Sequence, residues 1–410
     1  MSWEEVSFET LYAIPSKNGL NRPSRVRGKG HKMINMGELF AHDRIGDIDM
    51  ELVPLNENEL SNMLVQEGDL LFARQSLVLA GAGKCSIVKK TNGPTTFESH
   101  IIRVRLRNDQ ANSFFYHYYF KSPACRIRSI VTQGVQAGIR GNDLKKLSVH
   151  RPPLVTQQRI ASILSAYDNL IENNRRRIQL LEQAARLLYK EWFVHLRFPG
   201  YEQVKIKNGV PEGWEKKTVS GVCSEFVDGD WIETKDQGGD DLRLLQISNI
   251  GENEFVETGN FRFITEDTFR NLHCTEIRPG DLLLSRMPKP IGRAWMVTEM
   301  PWRMVTAVDI TIARPDSDQV DPFYYLYHLN SDVHLGLCAA RATGATRPRI
   351  SRKNMGSLPI VLAPMTLQRE FGAFSEDIHK QKATLRRQLD ILAQARDLLL
   401  PRLMNGEIAL

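Results

Sequence analysis

The residues of this chain best suited to chemistry lie in basic, glycine-bearing loops. Arg22 to Lys32 holds five basic residues, one histidine and no acid, and Arg341 to Lys353 holds five basic residues and no acid. Concentrated cationic charge on such segments suits contact with phosphates. Arginine pairs naturally with guanine, and asparagine or glutamine with adenine. On these grounds Arg25, Arg27, Lys29 and Lys32 are candidates for a nucleic-acid backbone. Arg74 and Gln75 follow an expected strand, and Gln133, Gln136, Arg140 and Asn142 occupy the loop Thr132 to Asp143. In the second half Arg286 matches Arg74, Lys289 and Arg293 lie just beyond it, and Arg347, Arg349, Arg352 and Lys353 fill the loop Thr343 to Asn354. Each competes with a plain surface ion pair. Arg74 and Arg286, being the same residue in both halves, are expected to hold the scaffold or a phosphate. Differing pairs such as Gln136 and Arg347 are the better candidates for sequence readout.

Other chemistries find little support. The chain has no GxxxxGK[ST], no GxGxxG after a strand, no HExxH and no GxSxG. The ten histidines lack metal-ligand spacing, and His100, His117, His195 and His328 read as core or surface residues. The five cysteines include no CxxC and read as reduced thiols, without a zinc site or disulfide framework. No metal or cofactor is therefore expected in this chain. The beginning MSWEEVSFET is acidic and polar, unlike a signal peptide, and no apolar run approaches the roughly 20 residues of a membrane span. A cytoplasmic protein is expected, with a net charge of +6 that suits a polyanionic partner.

The elements that must position these loops occur twice. Trp3-Glu4 matches Trp214-Glu215, Gly68-Asp69-Leu70-Leu71 matches Gly280-Asp281-Leu282-Leu283, and Ile178 to Leu188 matches Leu389 to Leu399. The offset is about 211 residues, roughly half the chain, and far longer than a solenoid period. It implies an α+β protein with two similar mixed domains, residues 1–151 and 212–361. A central helical region, 152–200, a linker, 201–211, and a C-terminal helical region, 362–410, complete it. Ile101 to Leu106 and Asp309 to Ala313 alternate like half-buried strands, and the aromatic runs Phe114 to Phe120 and Phe323 to His328 read as short helices.

The helical regions carry heptad seams. Ile160, Leu164, Tyr167, Ile171, Asn174, Ile178, Leu181, Ala185, Leu188 and Trp192 advance by alternating steps of four and three. Their counterparts are Phe371, Ser375, Ile378, Lys382, Leu385, Leu389, Leu392, Arg396, Leu399 and Leu403, a seam with three polar interruptions. Two helices packed as an antiparallel coiled coil, with internal pseudo-two-fold symmetry, are the simplest arrangement. Asn174 is placed to set register or else is part-exposed.

The residues together resemble the specificity subunit of type I restriction–modification enzymes, over nearly the whole chain. Gly68 to Arg74 with Gly280 to Arg286 carry the resemblance, as do Pro152-Pro153-Leu154 with Gln157-Gln158-Arg159-Ile160. So do Lys190-Glu191-Trp192-Phe193, Phe198-Pro199-Gly200, Pro211 to Trp214, and Leu399 to Ile408. It implies a subunit that reads a bipartite double-stranded DNA site, one half per domain, with the helices as a ruler and as the dock for two methyltransferase subunits. S-adenosylmethionine would serve those partners, and ATP and Mg the motor-nuclease restriction subunits. This chain would catalyse nothing. Two alternatives remain at this level: a coiled-coil scaffold presenting two domains to protein partners, and a methylation-only or related defence system.

Overall fold

The computed structural model describes residues 3–408. Contacts divide the chain into two units, Met1–Arg175 with Arg386–Leu410, and Arg176–Leu385. Each unit combines one mixed domain with a segment of each of two long helices.

In the first unit a five-stranded sheet runs in the order Tyr12–Asn18, Ile101–Leu106, Leu70–Ala73, Cys85–Val88, Arg44–Ile45. A smaller sheet places His31–Ile34 between Glu51–Val53 and Thr95–Phe97. The strand Leu70–Ala73 is buried throughout, so its unbroken apolar run LLFA is what a central strand covered on both faces requires. The helix Ser113–Lys121 packs its aromatic residues onto this sheet, with Phe8, Phe72 and Phe120 in edge-to-face contact. Asn112 caps that helix by accepting from Phe115 N. The buried Gln157 accepts from Asn112 N and donates to the Gln110 and Pro152 carbonyls, tying the long helix to the domain.

The second unit repeats this plan. Its main sheet runs Cys223–Asp228, Ile310–Pro315, Leu282–Ser285, Ala294–Met296, and its smaller sheet centres Leu242–Leu245 between Phe263–Ile264 and Arg303–Thr306. Asp321 caps the helix Pro322–Leu329, and Gln368 accepts from Asp321 N while donating to Ala363 O. Each domain is closed by an antiparallel pair, Glu4–Ser7 with Ser148–Arg151 and Glu215–Thr218 with Pro359–Leu362. The expected strands and aromatic helices therefore form, within a residue or two of their sequence limits.

The long helices are Leu154–Tyr189, continued by a π-helical turn at Lys190–Val194, and Met365–Met404. In the first unit Asp168 pairs with Arg396 at 2.6 Å and Asn174 Nδ2 donates to Gln388 Oε1 at 3.2 Å. In the second, Glu182 pairs with Lys382, and Tyr189 stacks edge-on against Phe371. Within each unit residue numbers rise on one helix as they fall on the other, so the packing is antiparallel. Two of the three polar interruptions of the second seam, Lys382 and Arg396, are thus met by acids on the other helix; the third, Ser375, is buried with its hydroxyl unbonded. Asn174 is buried, which decides against its being part-exposed.

The first seam is corrected at two places. Asp168 is buried where Tyr167 was expected, and Tyr189 and Phe193 are buried more deeply than Leu188 and Trp192. A straight helix turns every 3.6 residues, so a strict heptad drifts around it by about 20° per repeat, and the π-helical turn adds to the drift. Burial raises the Glu182 carboxyl, but Lys382, Asn253 and Arg186 outweigh it and hold that carboxyl below its usual range. Asp168 is held low in the same way, by Tyr118 and Arg396 against its burial.

Candidate nucleic-acid interface

In the first unit three loops meet at one end of the main sheet, and Arg74 stands where they meet. Its N–H donates to His100 O at 2.8 Å and its carbonyl accepts from Ile139 N at 2.9 Å. Gln75 and Ser76 form a short ribbon with Gly138 and Ala137. Ser99 N donates to Leu20 O, which brings in the loop Asn21 to Gly30. Gly19 permits that approach, since a Cβ there would lie 2.1 Å from Phe97 O. The Arg74 guanidinium is half-buried, reaches only Ser99 O at 3.5 Å and makes no ion pair among the described residues.

The second unit builds the same junction around Arg286. Its N–H donates to Asp309 O and its carbonyl accepts from Ile350 N. Asp230 N bonds Thr306 O, and Gly229 is needed because a Cβ would lie 2.4 Å from Ala307 O. The side chain behaves differently. Arg286 is buried and donates to Asp228 Oδ1 at 2.5 Å, to Ile350 O and to Val308 O. Asp228 ends its strand where Asn18 ends the corresponding one in the first unit. The carboxylate that pairs with Arg286 therefore has no counterpart at the end of the first unit's strand, where Asn18 stands.

The charge of the loops is also exchanged. The basic loop Arg22 to Lys32 leads into the strand His31–Ile34; the segment leading into Leu242–Leu245 in the second unit is Trp231 to Asp241, with four acids and one lysine. The two basic stretches of the sequence are therefore not counterparts. Within the first, Arg22 pairs with Glu59, Arg27 with Glu51 and Lys32 with Asp47, whereas Arg25 and Lys29 are exposed and make no ion pair among the described residues.

The loops before the long helices do correspond. Thr132 and Gly138 bridge antiparallel, as do Thr343 and Arg349. The turns so closed are Gln133 to Ala137 and Gly344 to Pro348, which sets Gln136 opposite Arg347 in the two copies. Gln133, Gln136, Arg140 and Asn142 are exposed, as are Lys289, Arg347, Arg352 and Lys353. Arg349 pairs with Asp309 at 2.7 Å, and Arg352 lies 3.6 Å from Asp228. Arg293 is buried and donates to the carbonyls of Ile250, Pro288, Pro290 and Ile247, a structural role that its sequence position did not disclose. Lys289, Thr346, Arg347 and Pro348 line a cleft of about 620 Å³ with Ile247 and Met287.

Of the histidines selected from the sequence, His100 and His195 lie beside Glu98 and Glu191, at 3.4 and 2.9 Å. His117 and His328 are enclosed, and burial pushes them down to about 3 and about 4, so both are neutral at physiological pH. Among the described residues no group of three or more His, Cys, Asp or Glu could hold a metal, and no helix is long and apolar enough to cross a membrane.

Residues 3–183 match the family model of the type I restriction modification DNA specificity domain. The chain is 21% identical to the type I restriction enzyme MjaIX specificity subunit of Methanocaldococcus jannaschii, over 86% of this chain and 82% of that protein. It is 29% identical to the EcoKI specificity subunit of Escherichia coli, over 42% of this chain and 38% of that one. Its fold is similar to the crystal structure of a type I restriction-modification S subunit from M. genitalium, with a TM-score of 0.59 and 16% identity, covering 98% of this chain and 96% of that one. Residues 3–183 thus carry a type I restriction modification DNA specificity domain, and the chain is similar over most of its length to type I restriction enzyme specificity subunits.

Proposed function

We propose that this chain reads a bipartite DNA site, one half per domain, and directs partner subunits to it without catalysis of its own. The observation that carries this reading is the repeated junction: two domains of one topology, each gathering exposed loops around an arginine at one sheet end. Phosphate contacts position such a reader, and base-edge contacts specify the sequence. Arg25, Lys29, Arg74 and Lys353 are assigned to phosphates, and the turns around Gln136 and Arg347 to bases.

Two methyltransferase subunits are the partners this reading requires. Leu180 and Leu187 are exposed on the first long helix, and Ile391 and Leu398 on the second, separated from them by 211 residues in both pairs. Exposed apolar pairs at matching places in two copies suit two copies of one partner. S-adenosylmethionine would then serve the methyltransferases, and ATP and Mg the restriction subunits, in a cytoplasmic complex. The domains of the chain as a pseudo-two-fold repeat, and its helices as a ruler, belong to the same proposal.

The test is the map of methylated adenines in cells expressing the methyltransferase subunit of the same restriction–modification system, with and without this chain. A two-part motif present only with the chain supports the proposal. No new methylation with both proteins soluble, and no salt-sensitive DNA binding by the chain, leaves the scaffold alternative instead.

A further inference from the structure

The two reading turns are of equal length and differ in chemistry. In the first unit the ribbon Gln75–Ser76 with Ala137–Gly138 is antiparallel, with Ala137 opposite Ser76. The next residues outward are Leu77 on one strand and Gln136 on the other. Beyond them Val135 is fully exposed at 104%, with Leu77 at 85% and Val78 at 63%. No residue from Gln133 to Gly138, or from Gln75 to Gly83, carries a charge. The backbone of the apolar arm is fixed from behind, because Arg128 donates to the carbonyls of Leu79, Ala80 and Ala82. The arm is thus an apolar and amide surface held on a rigid foot and left in water.

The corresponding turn of the second unit is cationic. Arg347 takes the place of Gln136 between the bridged residues, and Thr346 that of Val135. Lys289 faces the same cleft as Arg347. Both are exposed and make no ion pair among the described residues.

In the major groove an exposed apolar side chain distinguishes thymine by its C5 methyl, and glutamine pairs with adenine N6 and N7. Arginine and lysine instead reach guanine O6 and N7. We propose that the first domain reads A·T pairs through thymine methyls and adenine, with Val135, Leu77 and Gln136 in contact, and that the second reads guanine through Arg347 and Lys289. This rests on the specificity-subunit reading above. It commits both turns to base edges, and leaves phosphates to Arg25, Lys29, Arg74 and Lys353.

The test uses the assembled methyltransferase complex and the motif found by methylation mapping. Duplexes carry uracil for thymine, which deletes only the methyl, or 7-deazaguanine for guanine, which deletes only N7. Loss of binding by about tenfold is expected for uracil in one half-site and for 7-deazaguanine in the other. The Gln136→Ala variant should make the methylated motif degenerate at A·T positions in the uracil-sensitive half. Arg347→Ala should do so at a G·C position in the other half. The duplex analogues use the unaltered protein, so a variant that fails to fold leaves that part decisive. Uracil without effect in both halves, or degeneracy at a G·C pair in Gln136→Ala, overturns the inference. A wild-type chain that yields no motif at all overturns the specificity reading itself.

Discussion

Arg74 and Arg286 follow the same strand in two copies of one domain, and they have opposite fates. Arg286 is buried against Asp228 and two carbonyls, while Arg74 is half-buried and reaches one carbonyl at 3.5 Å. The neighbouring loops are exchanged in the same sense, basic in Arg22 to Lys32 and acidic in Trp231 to Asp241. The turns before the long helices reverse it, uncharged at Gln133 to Ala137 and cationic at Arg347. One scaffold thus carries its positive charge on different loops in its two copies. Backbone hydrogen bonds fix where the loops meet, and the side chains are free to diverge.

Removing each arginine should separate these roles. Arg286→Ala leaves a carboxylate and two carbonyls without their donor, and should cost about 2–3 kcal/mol of stability, read as a lower denaturation midpoint. Arg74→Ala should change stability by less than about 0.5 kcal/mol. It should instead lower the salt dependence of DNA binding by about one phosphate contact. Asn18→Asp should mimic it, by giving Arg74 the acid that Arg286 already has. Equal stability losses in both alanine variants would erase the distinction.

The loop exchange predicts a smaller effect, on affinity alone. Arg25→Ala with Lys29→Ala should reduce the slope of log K against log salt by about 1.8, the value for two phosphates. Lys235→Ala, in the acidic loop of the other domain, should leave the slope unchanged. A slope that responds equally to both would mean the second loop also touches DNA.

The helix crossing adds a pH dependence. Because the folded pKa of Glu182 is depressed, its contribution to stability is present above the ordinary glutamate value and is lost as pH falls through the lowered one. Glu182→Gln should therefore be less stable than the wild type at neutral pH, by about 1–2 kcal/mol, and the gap should narrow in thermal melts as the pH falls below the ordinary glutamate range. A gap independent of pH would remove Glu182 from the account.

Much of the fold was legible because its signals are local. The apolar runs at Leu70–Ala73 and Leu282–Ser285, the aromatic helices and, but for the drift at Asp168, Tyr189 and Phe193, the heptad seams follow from local residue pattern. Gln136 against Arg347 could be aligned because the flanking helices anchor both. What was hidden depends on contacts distant in sequence. Nothing local marks Arg293 as a buried carbonyl binder, or Arg286 as the partner of an aspartate 58 residues away. The acidic counterpart of Arg22 to Lys32 was missed because charge, the feature used to find such loops, is what changed. A matched signal did exist in Gly19 and Gly229, each followed by a loop and a short strand.

The most direct test of the central claim is replacement of residues 1–151 by those of a relative with a different target, followed by mapping of methylated adenines. Two domains that read independently predict a new sequence in one half of the motif and no change in the other half or in the gap. A change in both halves, or in neither, would contradict it.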